Sequence, residues 1–326
     1  MANPSFPAPG GAPLPAAKDD DADDVNEAHP PLTWRGVRLN VLLFVLTVVS
    51  LFWTGIEPDG SFWSGWQYAV PLITILVAHE FGHYFAARYH GVPASLPYFL
   101  PLPKLGFGTL GAVIAMRDRI RSRNALLDIG ASGPIAGMLV AVPVLFWGIA
   151  HSPVTVSTPP YEQEGQSLIY LAIKYLVHGP IPAGYDVHLH PAAFAGWVGL
   201  FLTMINLLPF GQLDGGHVAY ALFGEWHNRV GPWVRRALLP LFALNLLRFL
   251  VPILPRPPAA LLLTAVGNSL FWLVWFVVLG VLARLSGKDH PPCEPGELSP
   301  FRKAIGWVCV VLFVGLFMPT PMSHVE

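Results

Sequence analysis

Seven long apolar blocks constrain this chain more than any other feature. Crossing about 30 Å of hydrocarbon takes roughly 20 apolar residues, and such windows lie near 37–56, 66–88, 125–149, 192–213, 236–254, 260–284 and 304–320. With 53% hydrophobic and only 12% charged residues, the chain reads as an all-α polytopic membrane protein with about six to seven transmembrane helices. The ambiguity falls on 236–254 and 260–284, where Arg248, Pro252, Pro255, Pro257 and Pro258 crowd the connection.

Orientation follows from the cations. If the N-terminus is cytoplasmic, all of the 19 Lys and Arg except Lys174, Arg248 and Arg256 lie on cytoplasmic segments, a strong positive-inside bias. The net charge of −1 therefore says nothing about nucleic acid, and no nucleic-acid partner is expected. Arg outnumbers Lys 14 to 5, which fits a GC-rich bacterial genome and so a bacterial inner membrane, with an organellar membrane as the alternative. Residues 1–34, with the acidic run Asp19-Asp20-Asp21-Ala22-Asp23-Asp24, are expected to form a disordered cytoplasmic tail, leaving 35–326 as one membrane-embedded domain. Cys293 and Cys309 imply no disulfide framework.

Between the second and third spans, Gly106-Phe107-Gly108-Thr109-Leu110-Gly111-Ala112-Val113-Ile114 is Gly-punctuated and β-branched, which predicts a small membrane-associated β-hairpin near 104–118. Such a hairpin can enter a bilayer only if protein covers its backbone. The stretch 167–177, too short to span, predicts an interfacial or re-entrant helix. Trp53, Trp63 and Trp66 are expected to anchor the opposite membrane surface.

The second apolar block carries His79-Glu80-Phe81-Gly82-His83. On a helix the two His stack on one face and converge on a metal ion, with Glu80 within reach of a metal-held water. The fourth block ends Asn206-Leu207-Leu208-Pro209-Phe210-Gly211-Gln212-Leu213-Asp214-Gly215-Gly216. Both blocks run in the same direction, so His79, His83 and Asp214 lie at similar depth. A carboxylate there completes the three-ligand set of a catalytic zinc site. Gly133-Pro134-Ile135-Ala136-Gly137 has a small-xxx-small spacing that suits helix packing. His90 and His217 border these residues and are candidates for supporting contacts, whereas His151, His178, His188 and His190 read as solvated loop residues.

These motifs resemble the site-2 protease family, zinc intramembrane metalloproteases of peptidase family M50, in a branch without a PDZ domain. The resemblance covers a core of about 66–217. It implies one zinc ion per chain held by His79, His83 and Asp214, with Glu80 as general base. Asn206 would line the substrate groove or polarise the scissile carbonyl, and the hairpin near 104–118 would be the family's re-entrant hairpin. The implied activity is cleavage of transmembrane protein substrates near the cytoplasmic side of the lipid bilayer. Where many members carry a second Pro, this chain has Phe210-Gly211-Gln212. Two rivals use the same residues: a non-catalytic metal transporter or sensor, which needs no general base, and an inactive scaffold homologue.

Overall fold

The computed structural model describes residues 34–326 apart from 59, 105, 117–119, 121, 256–257, 288–289 and 295. The expected acidic tail over 1–34 lies, but for Trp34, outside the described residues. Each expected span contains a helix: α1 (Trp34–Ile56), α2 (Phe62–Tyr89), α3 (Arg123–Ala150), α5 (Pro191–Asn206), α7 (Trp226–Leu250), α8 (Ala259–Ser286) and α9 (Pro300–Leu316), joined by the shorter α4 (Leu168–His178) and α6 (Asp214–Phe223). Among the described residues, five helices are long and apolar enough to cross a membrane: α1, α2, α3, α7 with its 3-10 extension Val251–Ile253, and α8.

The expected count of six to seven is met approximately: five helices pass on length and composition, and the expected fourth and seventh spans hold the shorter α5 and α9, at 16 and 17 residues. The block 192–213 is not one helix. It stops at Asn206 because Pro209 has no N–H to continue the ladder and Gly211 turns the chain back with φ of 55°. A short α5 is tolerated because it packs against α2 and α3, and 12 of its 16 residues are buried. Conversely, α7 begins ten residues before the expected 236, since the Arg235 and Arg236 guanidinium groups sit over the rings of Phe276 and Trp233 and extend the helix through a charged stretch.

The predicted hairpin exists, but its first strand starts earlier than expected. Strands β1 (Tyr98–Pro101) and β2 (Thr109–Val113) pair antiparallel, with an irregularity between Phe99 and Pro101. Pro97, Pro101 and Pro103 disguise β1 in the sequence, because proline cannot donate to a ladder and is tolerated only at edges and bulges.

The hairpin packs against α1, α2 and α5, and side chains on two of those helices satisfy its carbonyls. Asn40 Nδ2 donates to the Leu96 and Pro97 oxygens at 2.9 and 3.0 Å, Ser50 Oγ to Gly108 at 2.7 Å, and Tyr68 Oη to Phe107 at 2.8 Å. The Phe107 ring packs on Trp197 and Phe201 of α5 at 5.7 and 5.2 Å. Gly108 requires its glycine: φ is 80°, and a Cβ there would come within 2.6 Å of Thr54 Oγ1.

Where α3 ends, two further strand pairs close the bundle: β3 (Val154–Val156) with β5 (Tyr185–Val187), and β4 (Tyr161–Glu164) with β6 (Met322–Val325). The helix expected to be interfacial or re-entrant is α4, which buries Lys174 toward these strands and leaves Leu168, Leu171, Tyr175 and Leu176 exposed. Lys174 pairs with Asp186 and, at 3.6 Å, with Glu164. Burial works to raise the Asp186 carboxyl, but the bonds from Lys174 and Gln163 win and hold it below the usual carboxylate range. Burial pushes Glu164 upward. Trp53 and Trp63 are exposed at the corresponding ends of α1 and α2, as anchors should be.

Replacing Tyr68 by Phe removes one of the hairpin's helix donors and takes the Phe107 carbonyl's partner away. A buried group left without its partner costs about 1–3 kcal/mol. Tyr68→Phe is expected to lower the melting temperature in detergent with bound metal unchanged; an unaltered Tm would show that the bond does not hold the hairpin in place.

Candidate metal centre

His79, Glu80 and His83 project from the second half of α2, all buried, at 5, 4 and 7% exposure. Asp214 is the first residue of α6 and reaches them because the Leu207–Leu213 turn folds the chain back. Two glycines make that fold possible: a Cβ at Gly215 would collide with the Leu207 carbonyl, and one at Gly216 with the Gly211 carbonyl.

The three donor atoms form a triangle. His79 Nε2 to Asp214 Oδ2, His83 Nε2 to Asp214 Oδ2, and His79 Nε2 to His83 Nε2 are each 3.2 Å. Donors about 2.0–2.1 Å from a tetrahedral zinc ion stand roughly 3.3 Å apart, so the triangle has the size of one tetrahedral face and leaves the fourth position open. Proton positions agree with this fit. His83 Nδ1 lies 2.7 Å from the Ile129 carbonyl, which can only accept, so Nδ1 carries the proton and Nε2 is bare in the neutral ring. His79, His83 and Asp214 could therefore hold a zinc ion, and among the described residues they are the only such group found.

The Gly133 and Gly137 pair, expected only to help helices pack, has a second role. On α3, Gly133 and Gly137 form the floor under the two imidazoles. A Cβ at Gly133 would land on His83 Nε2 itself, and one at Gly137 would sit 3.1 Å from His79 Nδ1. Opposite them, Gly82 of α2 lies against Ser132 of α3, where a Cβ would come within 2.6 Å of the Ser132 carbonyl. Small residues on both helices thus bring α3 close enough to cradle the rings.

A cavity of about 540 Å³ opens beside the triangle. Glu80 lines it beside the triangle, and Asn206 joins from the end of α5, with Nδ2 3.2 Å from His79 Nε2. On the far side lie Ala112, Val113, Ile114 and Met116, from β2 and the segment after it.

His217 also lines the cavity, whereas His90 does not. His90 instead binds Asp128 at 2.8 Å, and Arg302 of α9 grips the same carboxylate at 2.8 and 3.0 Å; Asp128 directly precedes the Ile129 carbonyl that orients His83. The sequence reading did not single out His290, which also lines the cavity. It sits in the connection between α8 and α9, more than 70 residues from the nearest motif, and carries no local signal. The histidines expected to be solvated are partly committed: His151 and His178 bind the Trp147 and Ile149 carbonyls, and His190 Nδ1 accepts from the Ala192 N–H at the start of α5.

Comparison with known proteins finds that residues 67–244, more than half of the chain, match the model of peptidase family M50. The chain is 29% identical over 235 residues to the "Probable zinc metalloprotease EGY1, chloroplastic" of Arabidopsis thaliana, covering 62% of this chain and 42% of that protein. It is 30% identical over 160 residues to the "Probable zinc metalloprotease EGY2, chloroplastic" of Oryza sativa subsp. indica, covering 48% and 29%. With EGY3 of Arabidopsis thaliana it shares 25% over 266 residues, 71% and 44%. The chain thus spans less than half the length of these relatives. No solved structure matches it.

The glycine floor generates a graded outcome. Gly133→Ala is expected to displace the His83 ring and abolish most metal binding by a protein that still extracts as a folded monodisperse species. Gly137→Ala, with room to relax by a few tenths of an ångström, should only weaken binding. Metal content by atomic spectroscopy reads both, and equal retention by the two variants would show that the floor does not position the rings.

Proposed function

Because the chain belongs to peptidase family M50, we propose that it is a zinc-dependent endopeptidase that cleaves membrane-anchored proteins within the bilayer, near the face that carries the Lys and Arg excess. The observation that carries this reading is a buried two-histidine, one-aspartate triangle with a carboxylate beside it and a cavity in front of it. In this reading His79, His83 and Asp214 hold one zinc ion per chain, and 35–326 act as one membrane-embedded unit. The cation distribution supports an N-terminus on the cytoplasmic side of a bacterial inner membrane or the equivalent side of an organellar one, as the chloroplastic relatives suggest.

A bound zinc ion would supply Lewis acidity at the scissile carbonyl and lower the pKa of an attacking water to near neutrality. The chain's own residues do the rest. Glu80 takes the proton from the water at a carboxylate oxygen and delivers it to the departing amide nitrogen, a role typically worth about 10²–10⁴-fold in rate. Asn206 offers its side-chain N–H groups to the developing charge on the carbonyl oxygen. The substrate must be unwound, because a helix hides its carbonyls. Among the described strands β2 pairs only with β1, and its open edge beside the cavity can take an extended peptide by strand addition.

The reading is tested with purified protein in detergent and a panel of tagged single-span membrane proteins. Zinc is expected at about one per chain in wild type and in Glu80→Gln, with cleavage reduced at least about 100-fold in the variant. Asp214→Ala or a chelator should remove both metal and cleavage. Equal behaviour of wild type and Glu80→Gln would favour a transport or scaffold role and overturn the protease.

A further inference from the structure

The cavity has a second polar wall that the mechanism above leaves unused. It is made by His217, three residues after Asp214 on α6, and His290 in the α8–α9 connection. Residues three apart on a helix are neighbours on its surface, so His217 stands beside the metal triangle without belonging to it.

The proton positions along this pair follow from their partners. His290 Nδ1 lies 2.8 Å from the Pro291 carbonyl oxygen, which only accepts, so Nδ1 carries the ring proton. Burial holds the His290 pKa down and keeps the ring neutral, so its Nε2 is bare. That Nε2 is 2.8 Å from His217 Nδ1, which therefore donates. In the neutral ring His217 is then left with a bare Nε2.

His290 is itself firmly held. Its ring stacks on Tyr220 with centroids 4.4 Å apart, and the Asn228 side chain binds its backbone twice, accepting from the N–H at 2.9 Å and donating to the carbonyl at 3.3 Å. The relay thus starts from a clamped segment and ends on His217, which lines the cavity.

We propose that His217 Nε2 is a fixed hydrogen-bond acceptor for a backbone N–H of the extended peptide in the cavity, and that His290 is a positioning residue that sets the His217 tautomer. An unwound peptide exposes N–H groups along both edges. One edge can pair with β2, and an N–H facing the other way needs an acceptor, since a donor buried without one is costly. The neighbouring acceptor Asp214 belongs to the metal triangle, whereas His217 lines the same cavity outside it. This inference rests on the protease reading for its partner but not for the tautomer.

Two measurements on the full chain separate the parts. Nitrogen-15 NMR of histidine-labelled, zinc-loaded protein, assigned by the His217→Phe variant, should find Nε2 bare and Nδ1 protonated in wild type. In His290→Leu the fixed tautomer should be lost. Kinetics on a substrate cleaved in the panel should show kcat/KM about ten-fold lower for His217→Phe and His290→Leu, mainly through KM, with zinc content retained. His290→Gln, whose amide can both accept from His217 and donate to Pro291, should recover most of the loss.

Replacing single backbone amides of the substrate by esters should identify one position where wild type loses activity and His217→Phe loses no more. A protonated Nε2 in wild type, unchanged kinetics in His217→Phe, or His290→Gln as defective as His290→Leu would each overturn the proposal. A bare Nε2 in a protein that cleaves nothing would leave the tautomer standing and overturn the peptide as its partner.

Discussion

The cost of an unpaired polar group away from water organises this molecule. Each such group in hydrocarbon costs several kcal/mol, yet the fold carries a strand hairpin, a broken helix and a cluster of ionisable side chains into a membrane-spanning bundle. Each is admitted on the same terms. The hairpin's carbonyls are met by Asn40, Ser50 and Tyr68. At the opening of α3, Arg123 donates to the Ala221 and Leu222 carbonyls and so closes the end of α6. His83 is bonded through one nitrogen to Ile129, leaving the other for a cation.

Helix contact distance is the second constraint, and it connects packing to chemistry. Leu or Val at 133 and 137 would serve an apolar interface as well as glycine in composition. They would fill the space that the imidazoles of His83 and His79 occupy. The same close approach brings the Ile129 carbonyl to His83, and α3 is held in register there by the His90–Asp128–Arg302 cluster one residue earlier. Three helices therefore converge on a single ring orientation.

Much of this architecture was legible in the chain. Apolar length located α1, α2, α3, α5, α7, α8 and α9, though not α6, which begins at Asp214, and the four-residue spacing of His79 and His83 put them on one face. The break in the fourth block was missed, because apolar length carried the expected span through Pro209 and Gly211 to residue 213. Proline also masked β1, because the feature that excludes it from a regular sheet is tolerated at the bulge after Phe99. The start of α7 was missed because its arginines read as a boundary, whereas aromatic rings on the same and the neighbouring helix accept them.

The sequence by itself determined the membrane-spanning class and the residues able to bind a metal, since apolar length and helical periodicity are local properties. Only the tertiary structure decided that His79, His83 and Asp214 stand 3.2 Å apart, that α3 glycines floor the site, and that His290 reaches His217 across 73 residues. Contacts between distant segments depend on how helices cross and how deeply a hairpin is buried, and no window of sequence contains that geometry.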